Sequence, residues 1–532
     1  MMNIYAKGRA LSIWKRASSF RNVTRKFQVA SVVLKQGNGS NDPTSVEDLA
    51  TRPDANATTS TDYYEYSRVV KDAARDFKAT WLNALAERKA QLAQGKVIDS
   101  YVYSHIKSTD VIDKTTKDSF AYVVLPFRDD PVVADFYVNA AGRLRMGQLF
   151  QDLDSLAGKI AYKHAAPVEP MIVTASVDRI YLLKPLDTIA DFNIILSGSV
   201  IYTGRSSMEI TITARALPGD IPKEISGDNL SDDDIFLTAS FTFVARNPET
   251  HKSLAINRFL PLTEKEWMEF KRAESRMASK KLKSRNMDLE KNPPTNEESV
   301  LVHSLWSASK ELAGLKNKPT NIVFMKDTNV KSTMFMQPQY RNRHSYMIFG
   351  GYLMRQTFEL AYCCAASFSH ALPRFVSLDS LTFNTPVPVG SVLHMDATVV
   401  YTEHLHEDSS KPKVLSVSDS AIDGNTIFHF QPTPVNNLSL HENDFLSKPG
   451  TLIQIKVDTM VQELASEKLQ KSGSFIYSFF APRDLDDEQL GSPGYATVVP
   501  ESYSEMIEYI QGRRRATETA LYAKSIKENS EK

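Results

Sequence analysis

The chain has 532 residues, 42% hydrophobic and 24% charged, with 63 Lys and Arg against 63 Asp and Glu. That balance leaves no basic surplus for phosphate backbones, which argues against nucleic acid as the main partner. No run approaches the ~18 consecutive apolar residues of a membrane-crossing helix, so no integral membrane segment is expected.

The two cysteines, Cys363 and Cys364, are adjacent. Neighbours on a helix point about 100° apart and cannot easily bridge. No ligand spacing accompanies them, so neither a disulfide scaffold nor a metal site is expected.

Residues 1–41 contain no Asp or Glu, while Lys7, Arg9, Lys15, Arg16, Arg21, Arg25, Lys26 and Lys35 alternate with Ile4, Leu11, Ile13, Trp14, Phe20 and Val23. An amphipathic, Arg-rich, acid-free leader has the composition of a mitochondrial presequence, expected over residues 1–40, with the matrix as destination. A basic tail or a surface helix is the other reading of that composition. Residues 41–115 read as an extension carrying an amphipathic helix over 62–94.

A repeat then organises the chain. The segment from Val173, "VTASVDRIYLLKPLDTIADFNIILSGSVIYTG", matches the segment from Arg374, "RFVSLDSLTFNTPVPVGSVLHMDATVVYTE". Each gives an acid (Asp178, Asp379), a strand, a proline (Pro185, Pro386) and a long strand ending in an apolar residue, Tyr and Thr. The helices before them, from Gly147 and Gly351, keep nearly the same offset. One face of the first carries Leu149, Leu153, Leu156, Ala157 and Ile160; the second carries Leu353, Leu360, Ala361, Cys364 and Phe368.

β-Branched runs mark strands at "FAYVVLPF", "SMEITITARAL" and "IFLTASFTFVAR" in the first unit, and at "TMFMQPQ", "KVLSVSDSA" and "NTIFHFQ" in the second. The predicted class is α+β: two tandem units, 116–262 and 319–445, each an antiparallel sheet wrapped around a long helix. A solvated helical linker fills 263–318, and 446–532 is an extension with a polar tail.

There is no G-x-S-x-G elbow, phosphate loop, H-E-x-x-H or CxxC pair. What stands out is a glycine-opened helix, used twice, with a carboxylate about two turns in. A helix N-terminus offers unpaired N–H groups that hold an oxyanion, and glycine lets a carbonyl reach them. The carboxylate lies about 10–12 Å further along the axis at ~1.5 Å per residue, so the facing helix is expected to supply the acid or base. The alternative is that Gly147 and Gly351 only permit close packing.

With "NRHSYMIFGGYLMRQTFEL", "VDRIYLLKP" and "TGRSSMEI" in register, residues 116–445 resemble the double hotdog acyl-coenzyme A thioesterases, in particular the mitochondrial thioesterase 9/10 group. The resemblance implies two hotdog domains, hydrolysis of fatty acyl-CoA to free acid and CoA, no cofactor beyond the CoA of the substrate, and a trimer of double hotdogs. It also implies a catalytic Asp seven residues after the helix-opening glycine. Counting from Gly147 gives Asp154; counting from Gly351 gives Phe358, with Glu359 one position later and turned by about 100°. Asp154 is therefore the stronger base, with Glu359 acting on water or at a second pseudo-equivalent site.

Relatives place an amide before each helix, for which Asn139 and Asn342 are the candidates, and border CoA with the turn Thr203, Gly204, Arg205, Ser206 and Ser207. The second unit has "TEHLHEDSSKP" there instead. Asp178 and Asp379 are expected to cap or pair at strand starts. Two rivals remain at this stage: a hotdog hydratase or dehydratase, for which His164 and His370 lie far from the glycines, and a non-catalytic acyl-CoA-binding or structural subunit of a mitochondrial assembly.

Overall fold

The computed structural model describes residues 110–530 except 169, 228, 249, 287–292, 317–320, 343–346, 406–445, 447–448, 465–467 and 483–495. All of them fall within the unit Val69–Lys532. The expected leader, the helix over 62–94 and the expected strands "KVLSVSDSA" and "NTIFHFQ" lie outside the described residues.

In chain order the elements are β1 (Asp113–Lys114), α1 (Thr116–Ser119), β2 (Ala121–Leu125), α2 (Pro131–Asp135) and the long α3 (Met146–Ala165). Then come β3 (Met171–Leu182), β4 (Asn193–Thr203), β5 (Ser207–Leu217), β6 (Ile235–Arg246) and β7 (Arg258–Phe259). Helices α4 (Glu264–Asn286) and α5 (Asn296–Gly314) form the linker. The second half comprises β8 (Ile322–Phe324), β9 (Val330–Phe335), α6 (Gly350–Ser369), β10 (Arg374–Phe383) and β11 (Val392–Leu405). It closes with β12 (Gly450–Gln462), β13 (Leu469–Pro482), β14 (Thr497–Val499) and α7 (Tyr503–Ser530).

Among the described residues, ten strands form one sheet in the order β2-β4-β5-β6-β3-β10-β13-β12-β11-β9. The order reads the same from both ends, each strand matching its repeat partner, so the sheet is two antiparallel hotdog sheets joined edge to edge. The join is β3 against β10, with Leu378 opposite Ile180 and Leu381 opposite Val177. This pairing covers the edges that two separate sheets would leave bare.

Each sheet takes one long helix on its face. Leu149, Leu153, Leu156, Ala157 and Ile160 of α3 are buried, as are Leu353, Leu360, Ala361, Cys364 and Phe368 of α6. At about 1.5–3 kcal/mol for each fully buried large apolar side chain, these stripes hold the helices on the sheets. Cys364 is one of these core residues; burial pushes its thiol up to about 12.

The second unit extends further than the sequence suggests. Its sheet takes β12 and β13 from Gly450–Pro482, so the boundary at 445 falls inside the domain. In the first unit β5 follows β4 after a tight turn, whereas Leu405 and Gly450 are widely separated, and the constant offset on which the repeat was read is lost there.

Helix α7 crosses the seam: Arg179 of β3 lies 4.7 Å from the Tyr522 ring, and Thr519 donates to Asp379 of β10. Asp379 also accepts from Ser377 at 2.7 Å and Ser478 at 2.6 Å, and Asp178 accepts from Ser176 and Thr242 at 3.1 Å each. Asp379 thus binds strand and helix hydroxyls and Asp178 strand hydroxyls; both acids pair, but from within their strands and not at the strand starts expected for them. Asp379→Ala leaves several buried hydroxyls without an acceptor and is expected to lower stability by about 2–4 kcal/mol. Urea denaturation measures it, and an unchanged midpoint would remove the network from the stabilising core.

Candidate active site

The two long helices pack against each other with opposite sense. A side chain at Gly147 would meet Glu359 and Phe358, while one at Gly351 would meet Asp154 and the Gln151 carbonyl. Each glycine end therefore lies against the carboxylate of the other unit. The seven-residue spacing places Asp154 about 10 Å along α3 from its own glycine, which is why it serves the other helix.

At one end Asp154 is buried. Its Oδ2 accepts from the Gly351 N–H at 2.6 Å and its Oδ1 from the Thr174 hydroxyl at 3.0 Å. Helix α6 has no side-chain cap of its own, so Asp154 caps it from across the interface. Burial raises the Asp154 carboxyl to about 6, against the two hydrogen bonds that favour its ionised form. A Cβ on Gly350 would stand 3.3 Å from Asp154 Oδ2, 3.3 Å from Thr174 Oγ1 and 3.2 Å from Phe383. All three distances are tighter than ordinary contact, so glycine at 350 lets the carboxylate, the hydroxyl and the ring approach the helix end closely. The Gly351 N–H, expected to be free for a carbonyl, is taken by Asp154; the other first-turn N–H groups of α6 have no partner within the helix.

At the other end Glu359 Oε1 binds both Nε and a terminal nitrogen of Arg145 at 2.9 Å, and lies 3.1 Å from where a Gly147 Cβ would be. Phe358, at the position where the Asp is lacking, is a core residue. Its ring meets Phe150 edge-on at 5.2 Å and packs with Phe375, Tyr477 and Phe479. A cavity of about 360 Å³ opens beside it, lined among others by Asn139, Arg145 and Glu359.

Asn139 turns its carbonyl oxygen onto the Ala141 and Arg143 N–H groups at 2.9 and 3.0 Å, shaping the loop before α3. Asn342 holds the corresponding loop through its backbone N–H to the Met347 carbonyl at 2.7 Å. Neither amide is recorded as bonded to Asp154 or Glu359 among the described residues.

Thr203–Ser207 forms the β4–β5 turn. Thr203 Oγ1 accepts from the Phe259 N–H at 2.8 Å, and the Gly204 N–H donates to the Ser207 carbonyl at 2.8 Å. The turn is at the Asp154 end of the sheet: Thr174 pairs with Phe243, Phe243 with Met208 and Met208 with Thr203. Three strand spacings make this about 14 Å.

Thr174 and Arg145, the direct partners of the two carboxylates, were not singled out in the sequence. Asp152 was also missed: burial raises it to about 7, and it accepts from the Tyr137 hydroxyl at 2.6 Å. His164 lies ten residues beyond Asp154, about 15 Å along the axis, with its Nε2 3.0 Å from the Asn257 carbonyl. His370 ends α6 in a left-handed conformation.

No protein-family model matches the chain. Among curated proteins it is 33% identical over 303 residues to acyl-coenzyme A thioesterase 2, chloroplastic, of Humulus lupulus, covering 56% of this chain and 66% of the relative. It spans 55% of a second Humulus lupulus relative, acyl-coenzyme A thioesterase 4, mitochondrial. It is 31% identical over 324 residues to acyl-coenzyme A thioesterase 9, mitochondrial, of Mus musculus, covering 59% of this chain and 71% of the relative.

Among solved structures it is similar to an acyl-CoA hydrolase from Staphylococcus aureus in complex with butyryl coenzyme A (24% identity, 32% of this chain, 90% of that chain, TM-score 0.26). Another is an acyl-ACP thioesterase from Bacteroides thetaiotaomicron (10% identity, 69% of this chain, 100% of that chain, TM-score 0.33). The double hotdog chain belongs to the mitochondrial acyl-coenzyme A thioesterase 9/10 group.

Proposed function

We propose that this chain hydrolyses fatty acyl-CoA to free acid and CoA at the Asp154 end of the domain interface. The observation that carries the reading is a buried carboxylate raised to about 6, fixed by a hydroxyl and by the other unit's helix N-terminus, where two glycines allow close approach to the helix end. Names of relatives support the substrate class.

Asp154 takes a proton from water as the water oxygen bonds to the thioester carbon. The first turn of α6 holds the resulting oxyanion. The carbon–sulfur bond then breaks, and the proton passes from Asp154 to the CoA thiolate. This sequence needs no metal or organic cofactor, because the thioester is already activated. Arg205 pairs with a CoA phosphate while Ser206 and Ser207 donate to it, in keeping with the place of their turn at this end of the sheet. The protein acts in the mitochondrial matrix as a trimer of double hotdogs.

The hydratase alternative wants a His beside the carboxylate, and His164 is held elsewhere by Asn257. Release of thiol from acyl-CoAs of increasing chain length, measured on the full chain, tests the reading; turnover without thiol release overturns it. Glu359, committed to Arg145, is not the base. Glu359→Gln is expected to keep kcat within about threefold, by the same assay.

A further inference from the structure

We infer that the Glu359 end of the interface is a separate binding site for a medium-chain carboxylate, seated with its head on Arg143 and its chain in the cavity. The choice of ligand rests on the hydrolytic reading, of which such an acid is a product. The site itself rests on charge and shape.

Arg143, Arg145 and Arg374 all line the cavity of about 360 Å³. Arg145 is matched by Glu359 and Arg374 by Asp187. Arg143 donates to the Leu372 carbonyl at 3.1 Å, and no ion pair to it is recorded among the described residues. It is half-buried beside the like charge of Arg374, with Asp187, the partner of Arg374, as the acid within electrostatic reach of both. Three guanidinium groups thus face two carboxylates, and a third anion completes the set. The guanidinium fork matches a carboxylate in two parallel hydrogen bonds.

The rest of the lining is hydrocarbon, including Leu182, Leu186, Phe236 and Phe375. An apolar floor below a surplus of one cation fits an acid with an alkyl chain, and the volume is at the small end for ligand sites, below what a whole CoA adduct would fill.

This end is not built as a second copy of the hydrolytic one. Thr174, four residues before Asp178, binds Asp154, whereas the residue four before Asp379 is Phe375, a buried ring that offers no hydroxyl. Glu359 is instead drawn into an ion pair with Arg145.

Isothermal titration of octanoate into the full chain tests the inference independently of turnover. Octanoate is expected to bind at least tenfold more tightly than 1-octanol, and Arg143→Ala to weaken octanoate at least tenfold, with Arg143→Lys losing less. Asp154→Asn and saturating CoA are both expected to leave octanoate affinity within twofold. Equal binding of octanoate and octanol overturns the inference even if the Arg143 variants fail to fold. So does unchanged affinity in a folded Arg143→Ala, no octanoate binding, or loss of binding in Asp154→Asn or with CoA. Failure of the hydrolytic reading is read separately, as absent thiol release by the wild type.

Discussion

Asp154→Asn is expected to lower kcat for thiol release from acyl-CoA by about 10²–10⁴-fold, the usual share of a positioned general base. Asn conserves the volume and leaves an oxygen to accept from the Gly351 N–H, so the loss reports on the proton acceptor rather than on collapse of the helix end. In the wild type the base must be ionised, so kcat is expected to rise with pH and reach half its plateau near pH 6, the value to which burial raises Asp154. The residual rate of the variant should lack that inflection.

The same shift sets the sign of a stability effect. Because the folded value lies above that of a free aspartate, the fold favours the protonated form. The associated stability is complete below about pH 4 and is lost as pH rises through about 6. At pH 7.5 the wild type holds a buried charge that Asn lacks, and Asp154→Asn is expected to be the more stable protein by about 1–3 kcal/mol. At pH 4 the two should melt together. A variant that is inactive and less stable at pH 7.5 would mean that Asp154 is a structural cap.

Gly351→Ala is expected to damage both fold and turnover. The new methyl would lie 2.7 Å from a Phe349 ring carbon, 2.9 Å from the Asp154 Cβ and 3.0 Å from the Gln151 carbonyl oxygen. Two of those neighbours belong to the packed helix α3 and cannot turn away, so the helices must part. Overpacking of this kind costs about 1–3 kcal/mol. A displacement of about 1 Å between base and helix end is enough for a ~10²-fold loss of rate. Gly158→Ala is the control: it lies on α3 with nothing within 4 Å of its new methyl and should gain about 0.5–1 kcal/mol from helix propensity. Equal effects at the two positions would show that close approach of α3 and α6 is not what Gly351 provides.

Much of this fold was legible because it is written twice. The helices at Gly147 and Gly351, the acids Asp178 and Asp379 and the long strands after them keep nearly the same offset, and the mirrored strand order is that repeat made spatial. The pattern stopped being readable after Leu405; among the described residues the next strand of the sheet begins at Gly450. Strand-like runs between the two drew the boundary too early.

Asp154 could be named from its spacing to Gly147, and opposed helices explain why it meets Gly351. Thr174 could not, since nothing in "VTASVD" distinguishes a hydroxyl that binds a carboxylate on another element from one that faces water. Arg145 was hidden for the same reason, as its partner Glu359 is 214 residues away. Pairings of that kind depend on the register of β3 against β10 and on the helix crossing, neither of which is encoded locally.

The decisive measurement is kcat for thiol release by Asp154→Asn and Glu359→Gln, side by side on one acyl-CoA and in proteins shown to be folded. Hydrolysis at the Asp154 end predicts a fall of at least 10²-fold in the first and a change within threefold in the second. Comparable losses in both, or the larger loss in Glu359→Gln, would contradict it.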